Sequence, residues 1–134
     1  MITDEARIRK ELLATGEWGD DAIALGIRAN FHCEYCGKDL LKNLENYKEW
    51  NIDHIVPKSH GGTEQESNLA LSCRTCNVSV KGHWNPADTI KTKVTREELL
   101  RVTREYIENR RVAMNKQLRL FRKIVSLRSR DAEQ

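Results

Sequence analysis

The sequence predicts an α+β fold: a small strand–loop–strand–helix unit between amino-terminal helices and a long carboxy-terminal helix or helix pair. Three observations carry this. Two Cys-x-x-Cys pairs, Cys33/Cys36 and Cys73/Cys76, enclose 36 residues of alternating strand and loop character. A stretch with helix-start and helix-stop residues precedes them. After Asn85-Pro86 the chain runs from Thr95 to Leu127 without proline or glycine.

The elements follow in order. Thr3 before DEARIRKELLAT, with acids in the first turn and Gly16 past the end, predicts a short helix. Asp20–Arg28 (DDAIALGIR) predicts a second, interrupted by Gly26. Both are expected to pack over the centre and make up for its small core. Cys33-Glu-Tyr-Cys36-Gly37 reads as a tight turn, with Gly37 free to take a positive φ. LLKNLENYKEW forms a short helix or an irregular connector. NIDHIVP has the β-branched content of a strand and ends at Pro57. Ser59–Ser67 has loop composition, NLALS returns as the partner strand, and a helix runs from Cys73 or Arg74 to about Lys81.

Thr95-Arg-Glu-Glu98 is a capping-box signature opening a helix to about Leu127, roughly 48 Å at the helical rise. The polar residues 108–111 are a candidate break. Leu100, Ile107, Met114, Leu118, Phe121 and Val125 lie near heptad spacing, a face for packing on the domain or on a second copy. The chain divides into a helical segment 1–30, a core 31–84 and a basic helical extension 85–134.

At 134 residues the chain has material for one small domain, and its low aromatic content makes a metal staple valuable. No apolar run approaches membrane-span length, so no membrane partner is expected. The amino terminus carries acids and lacks an apolar h-region, so a cytoplasmic, reducing setting is expected. There, paired cysteines favour metal over disulfides. The net charge of +3 hides an asymmetry: residues 1–90 hold ten Lys/Arg against fourteen Asp/Glu, and residues 91–134 hold thirteen against six. A basic end on an acidic body suits a polyanion partner; the plainer alternative is a solvated helix face.

Thiolates at Cys-x-x-Cys spacing share one tetrahedral zinc, and four of them leave no open position, so Cys33, Cys36, Cys73 and Cys76 are expected to form a structural site. Asp53-His54 offers different chemistry. An imidazole is a competent base near neutral pH, and hard oxygen donors such as Asp53 and Asn77 suit Mg2+ or Mn2+. Phosphodiester hydrolysis needs both a base and a cation. Alone, each of these residues reads as structural; their order between and beside the cysteine pairs is what points to a site.

Cys-x-x-Cys, Asp-His-Ile-Val-Pro, Gly-Gly, Asn-Leu and Cys-x-x-Cys-Asn, over roughly residues 27–82, resemble the HNH endonuclease family in its four-cysteine zinc subclass. The resemblance implies a ββα-metal fold. It implies that His54 is the general base, that Asp53 and Asn77 bind the catalytic cation, and that Asn68 braces the loop and orients the base. Related sequences often carry a lysine three residues after the helical asparagine; here Val80 stands there and Lys81 follows.

The expectation is a metal-dependent endonuclease acting on double-stranded DNA, with Zn2+ structural and Mg2+ or Mn2+ catalytic. It would nick one strand or, as a homodimer, cut both. His60, Lys81, Arg104 and Arg111 are candidate substrate contacts. His32 and His83 read more simply as exposed or locally bonded histidines. The alternatives are a catalytically silent zinc module binding nucleic acid or protein, and a nuclease subunit directed by a targeting partner.

Overall fold

The computed structural model of the chain describes residues 3–133. Helix α1 (Asp4–Ala14) opens on Thr3, whose side-chain oxygen accepts from the Ala6 amide at 3.1 Å. Asp4 and Glu5 face the positive end of the helix dipole. None of its residues is buried, so it rests on α2 and adds little core. Of the two leading helices expected to cover the centre, α2 (Asp20–Arg28) packs on a strand, and it buries Ile23 and Leu25.

Gly26 does not interrupt α2. A Cβ there would lie 2.4 Å from the Phe31 ring, so the glycine makes room for that ring. The chain then reverses through Asn30 and Phe31, both left-handed at φ 52° and 57°. This is strained for an aromatic residue. It is held because the Phe31 amide donates to the Gly26 carbonyl at 2.7 Å and the ring meets Trp18 edge-on at 5.9 Å.

The connector after the first cysteine turn contains one helical turn, α3 (Leu44–Tyr47), capped by Asn43. Strands β1 (Trp50–His54) and β2 (Leu69–Cys73) pair antiparallel, with Trp50 opposite Cys73 and His54 opposite Leu69. Two 3-10 turns, Lys58–His60 and Glu66–Asn68, punctuate the loop between them. The expected helix after β2 is a π-helix, Thr75–Lys81, in which the Gly82 amide reaches back five residues to the Asn77 carbonyl at 2.9 Å. It packs against both strands and α4. Ile55, Leu71, Cys76, Val80 and Ile107 lie in the core between these elements.

After a 3-10 turn (Pro86–Thr89) comes α4 (Arg96–Glu133), one 38-residue helix with no break at 108–111. Thr95 Oγ1 accepts from the Glu98 amide at 3.2 Å, but the Glu98 carboxylate turns to Arg101 at 3.0 Å, so only half of the expected capping box forms. Trp84 stacks on Tyr106 at 4.0 Å and ties the preceding loop to α4. No helix among the described residues is long and apolar enough to cross a membrane.

Candidate metal centre and active site

The two cysteine turns meet because the first turn pairs with β2: the Glu34 amide donates to the Leu71 carbonyl at 2.8 Å and the Leu71 amide to the Glu34 carboxylate at 2.7 Å. Cys33, Cys73 and Cys76 are buried, and all four sulfurs lie within 4.8 Å of one another. The Cys36–Cys73 pair is 3.7 Å apart. Tetrahedral zinc with Zn–S bonds of ~2.3 Å places sulfurs ~3.8 Å apart, so the donor set fits. The Cys36 amide donates to Cys33 Sγ at 3.4 Å and the Cys76 amide to Cys73 Sγ at 3.3 Å, bonds that stabilise thiolates. Four thiolates around a divalent ion leave net negative charge. Arg111 answers it, with Nη2 3.1 Å from Cys76 Sγ and 3.6 Å from Cys73 Sγ.

Glu49 ties the first cysteine turn to the start of the π-helix. Its carboxylate binds Lys38 from the first cysteine turn and accepts from the Thr75 amide (3.1 Å) at the start of the π-helix. These partners, Lys38 first and then Thr75, hold its carboxyl down at about 2.

The second site is an open cleft of about 250 Å³ whose lining includes Asp53, His54, Lys58, Asn77 and His83. Adjacent strand residues point to opposite faces, yet Asp53 and His54 both reach it because His54 is the last residue of β1. Asp53 is buried, and its Oδ2 accepts from Tyr35 Oη at 2.6 Å and lies 3.0 Å from Lys81 Nζ. Oδ1 takes no hydrogen bond among the described residues, so it is free to accept a further partner. Burial pushes the Asp53 carboxyl up, against the pull of Lys81 and Tyr35. Burial, then the Asp53 charge, also holds the Tyr35 phenol well above its ordinary value, so it stays a donor.

Asn77 is oriented the same way. Its amide nitrogen donates to Asn51 Oδ1 at 2.6 Å and to the Ile52 carbonyl at 3.4 Å. A carbonyl can only accept, so the nitrogen must face it, and the Asn77 side-chain oxygen is left for the cleft. Two hard oxygens on one cleft have the chemistry for Mg2+ or Mn2+.

Asn68, 8% exposed, does not line this cleft but lies with Val56 and Gly62 beside the chain that follows His54. It accepts from the Val56 amide at 2.9 Å and donates to the carbonyls of Val56 (3.0 Å) and Thr63 (2.9 Å). Its own carbonyl accepts from Ile55 at 2.8 Å, so one asparagine clasps the chain immediately after His54. Gly62 completes the clasp: a Cβ there would lie 1.7 Å from the Val56 carbonyl oxygen.

His54 Nε2 lies 3.0 Å from a Glu64 carboxylate oxygen but makes no well-aligned hydrogen bond. Lys58 pairs with the other Glu64 oxygen; Lys58, then His54, lowers the Glu64 carboxyl from its usual range.

The remaining candidates fall elsewhere. Lys81 does not lie on the surface for a phosphate: its side chain is fully buried, bonded to Asp53 and to the His54 carbonyl at 3.3 Å. The π-turn explains the extra residue before it, since a turn closed at five residues rather than four holds one more. Arg104 donates to the Glu34 carbonyl at 2.7 Å and Arg111 sits on the thiols, so both hold the cysteine unit to α4 instead of facing the cleft. His60 is exposed, one residue beyond the Ser59 that lines the cleft. His83 does line it. Tyr35, Asn51, Glu49 and Glu64 had no signal in the sequence, because Asp53, Asn77, Thr75 and His54, which they respectively contact, lie 10 or more residues away.

Fold and site together define a strand–loop–strand–helix unit, closed by a four-cysteine centre and carrying an Asp–His–Asn cleft. Residues 33–81 match the family model described as HNH endonuclease, and the clustered cysteines Cys33, Cys36, Cys73 and Cys76 fit its four-cysteine subclass. No curated protein matches the chain.

Proposed function

We propose that the protein is a metal-dependent endonuclease that hydrolyses phosphodiester bonds of double-stranded DNA. The observation that carries the reading is the convergence of His54, Asp53 and Asn77 on one open cleft, inside a segment that matches the HNH endonuclease family. His54, held by the Asn68 clasp on the following residues, takes the proton from an attacking water. Asp53 Oδ1 and the Asn77 side-chain oxygen hold the divalent cation, and Tyr35 and Lys81 fix Asp53 so that Oδ1 stays presented. When bound, that cation supplies the positive charge that offsets the charge developing on the phosphate and leaving oxygen. Zinc at the four cysteines keeps the π-helix, and with it Asn77, in register with β1.

The basic extension is the element available to the DNA backbone through phosphate contacts. One cleft cuts one strand; cutting both takes two copies or two events.

A second reading has its own observation. Lys81 already neutralises Asp53, and Glu64 already sits against His54, an arrangement a silent nucleic-acid-binding module could keep. The test is nicking of supercoiled plasmid with and without Mg2+ or Mn2+, comparing the parent with His54→Ala and Asp53→Ala. Metal-dependent nicking lost in both variants supports the enzyme. Equal nicking in parent and His54→Ala removes His54 as base. No nicking, with zinc content and DNA binding intact, favours the silent module or a required targeting partner.

A further inference from the structure

α4 is one helix in two environments. As far as Arg111 its inner face is covered: Leu99, Leu100, Thr103 and Ile107 are buried, and Arg104 and Arg111 bond the cysteine unit. From Val112 to Leu127 no residue is buried, though the helix continues. Ile107, Arg111, Met114, Leu118, Phe121 and Val125 fall alternately four and three residues apart, so the stripe that packs on the core runs on past it. Beyond the core, Met114, Leu118, Phe121 and Val125 are 36% to 62% exposed. Leu120, Ile124 and Leu127 form a second stripe beside them, each more than half exposed. The opposite face carries Lys116, Arg119, Arg122 and Lys123, and no Asp or Glu occurs between Glu108 and Asp131.

We infer that residues 112–127 of α4 pair two copies of this chain. A helix of this length without tertiary contacts is marginal in water, and its stability comes from covering an amphipathic face. Met114, Leu118, Phe121 and Val125 with the flanking Ile124 offer roughly 500 Å² per copy, more than half of the ~800 Å² each partner contributes to a standard stable interface. A second copy meets the uncharged stripe with an uncharged stripe and leaves both cationic faces outward. The alternation of four and three is the spacing of helix-on-helix packing, and it continues a stripe that already packs on protein. An anionic membrane suits the cationic face, but the stretch has no Trp or Tyr to anchor it at an interface. If the nuclease reading holds, pairing also places two clefts in one particle, one for each strand.

Sedimentation equilibrium of the full-length, zinc-loaded chain tests this, beside Leu118→Glu/Phe121→Glu and, as a control on the cationic face, Arg119→Glu. The parent and the control are expected at twice the 15.5 kDa chain mass. The double variant is expected at the single mass, its dimer dissociation constant raised more than about 100-fold, with full zinc content. A parent at single mass at roughly tens of micromolar, or a double variant that stays paired, overturns the inference. A single-mass parent that co-sediments with phosphatidylglycerol vesicles overturns it too, and assigns the face to anionic lipid. Mass is read without DNA or a catalytic metal, so failure to pair and failure to nick are separate results.

Discussion

Lys81 Nζ and Asp53 Oδ2 lie 3.0 Å apart with side chains 0% and 7% exposed, an ion pair inside the wall of the cleft. The pair joins the end of the π-helix to the strand that carries the candidate base, and Lys81 also bonds the His54 carbonyl. Removing one partner of a buried pair leaves an uncompensated charge. Lys81→Met is expected to cost about 3 kcal/mol of unfolding free energy in urea, and adding Asp53→Asn should restore part of it. A loss under about 1 kcal/mol would show that Asp53 is adequately solvated without the lysine.

The Asn68 clasp makes a sharper prediction, because donor and acceptor are both used. Asn68→Ala is expected to cost about 2–3 kcal/mol. Asn68→Asp keeps an acceptor for the Val56 amide but cannot donate to the Val56 and Thr63 carbonyls, so it should recover little. Gly62→Ala should be comparably damaging, since its Cβ meets backbone that cannot swing away. Amide exchange at Val56 reads both: fast exchange in these variants confirms the clasp, and parental protection refutes it.

Asn51 is expected to act on the cation through Asn77. Asn51→Ala frees the Asn77 amide to rotate, so the Mg2+ needed for half-maximal nicking should rise several-fold while the rate at saturation falls less. Asn51→Asp retains the accepting oxygen and should restore the parental requirement. An unchanged Mg2+ dependence in Asn51→Ala would remove Asn51 from this role.

One zinc per chain is expected by elemental analysis, and a chelator that strips it should unfold residues 33–81. Arg111→Met should weaken zinc binding about 10-fold, measured by competition with a chromogenic chelator, because the thiolate charge loses its guanidinium. Unchanged affinity would make Arg111 a packing residue only.

Glu49 gives the pH dependence. Its folded carboxyl titrates at about 2 against an ordinary 4.5, so its stabilisation is fully present above pH 4.5 and is lost as pH falls toward 2. Glu49→Gln is therefore expected to lower stability by about 1–2 kcal/mol at pH 7, allowing for solvent screening. The gap from the parent, both zinc-saturated, should be the same at pH 5.5 and narrower at pH 4. A gap that widens on acidification would contradict the assignment.

The parts of the site legible in the sequence share one property: close spacing along the chain. Cys33 with Cys36, Cys73 with Cys76, and Asp53 beside His54 are local pairs whose chemistry depends little on the rest of the fold. Helix starts at Thr3 and Thr95 were equally local, because a cap is satisfied within three residues. Gly26 was misread as a break because its reason lies in the Phe31 ring, which only the left-handed turn after α2 brings back over it.

By itself, then, the sequence determined the cysteine cluster, the order of the main elements and the starts of α1 and α4, all set by residue type and short-range spacing. Tertiary structure alone decided what those residues face. It turned Lys81 inward to Asp53, set Arg111 on the thiols rather than toward a polyanion, and gave Asn77 its orientation through Asn51. The reason is electrostatic: a charged or amide side chain goes to whichever partner burial leaves unsatisfied, and that partner comes from another element of the fold.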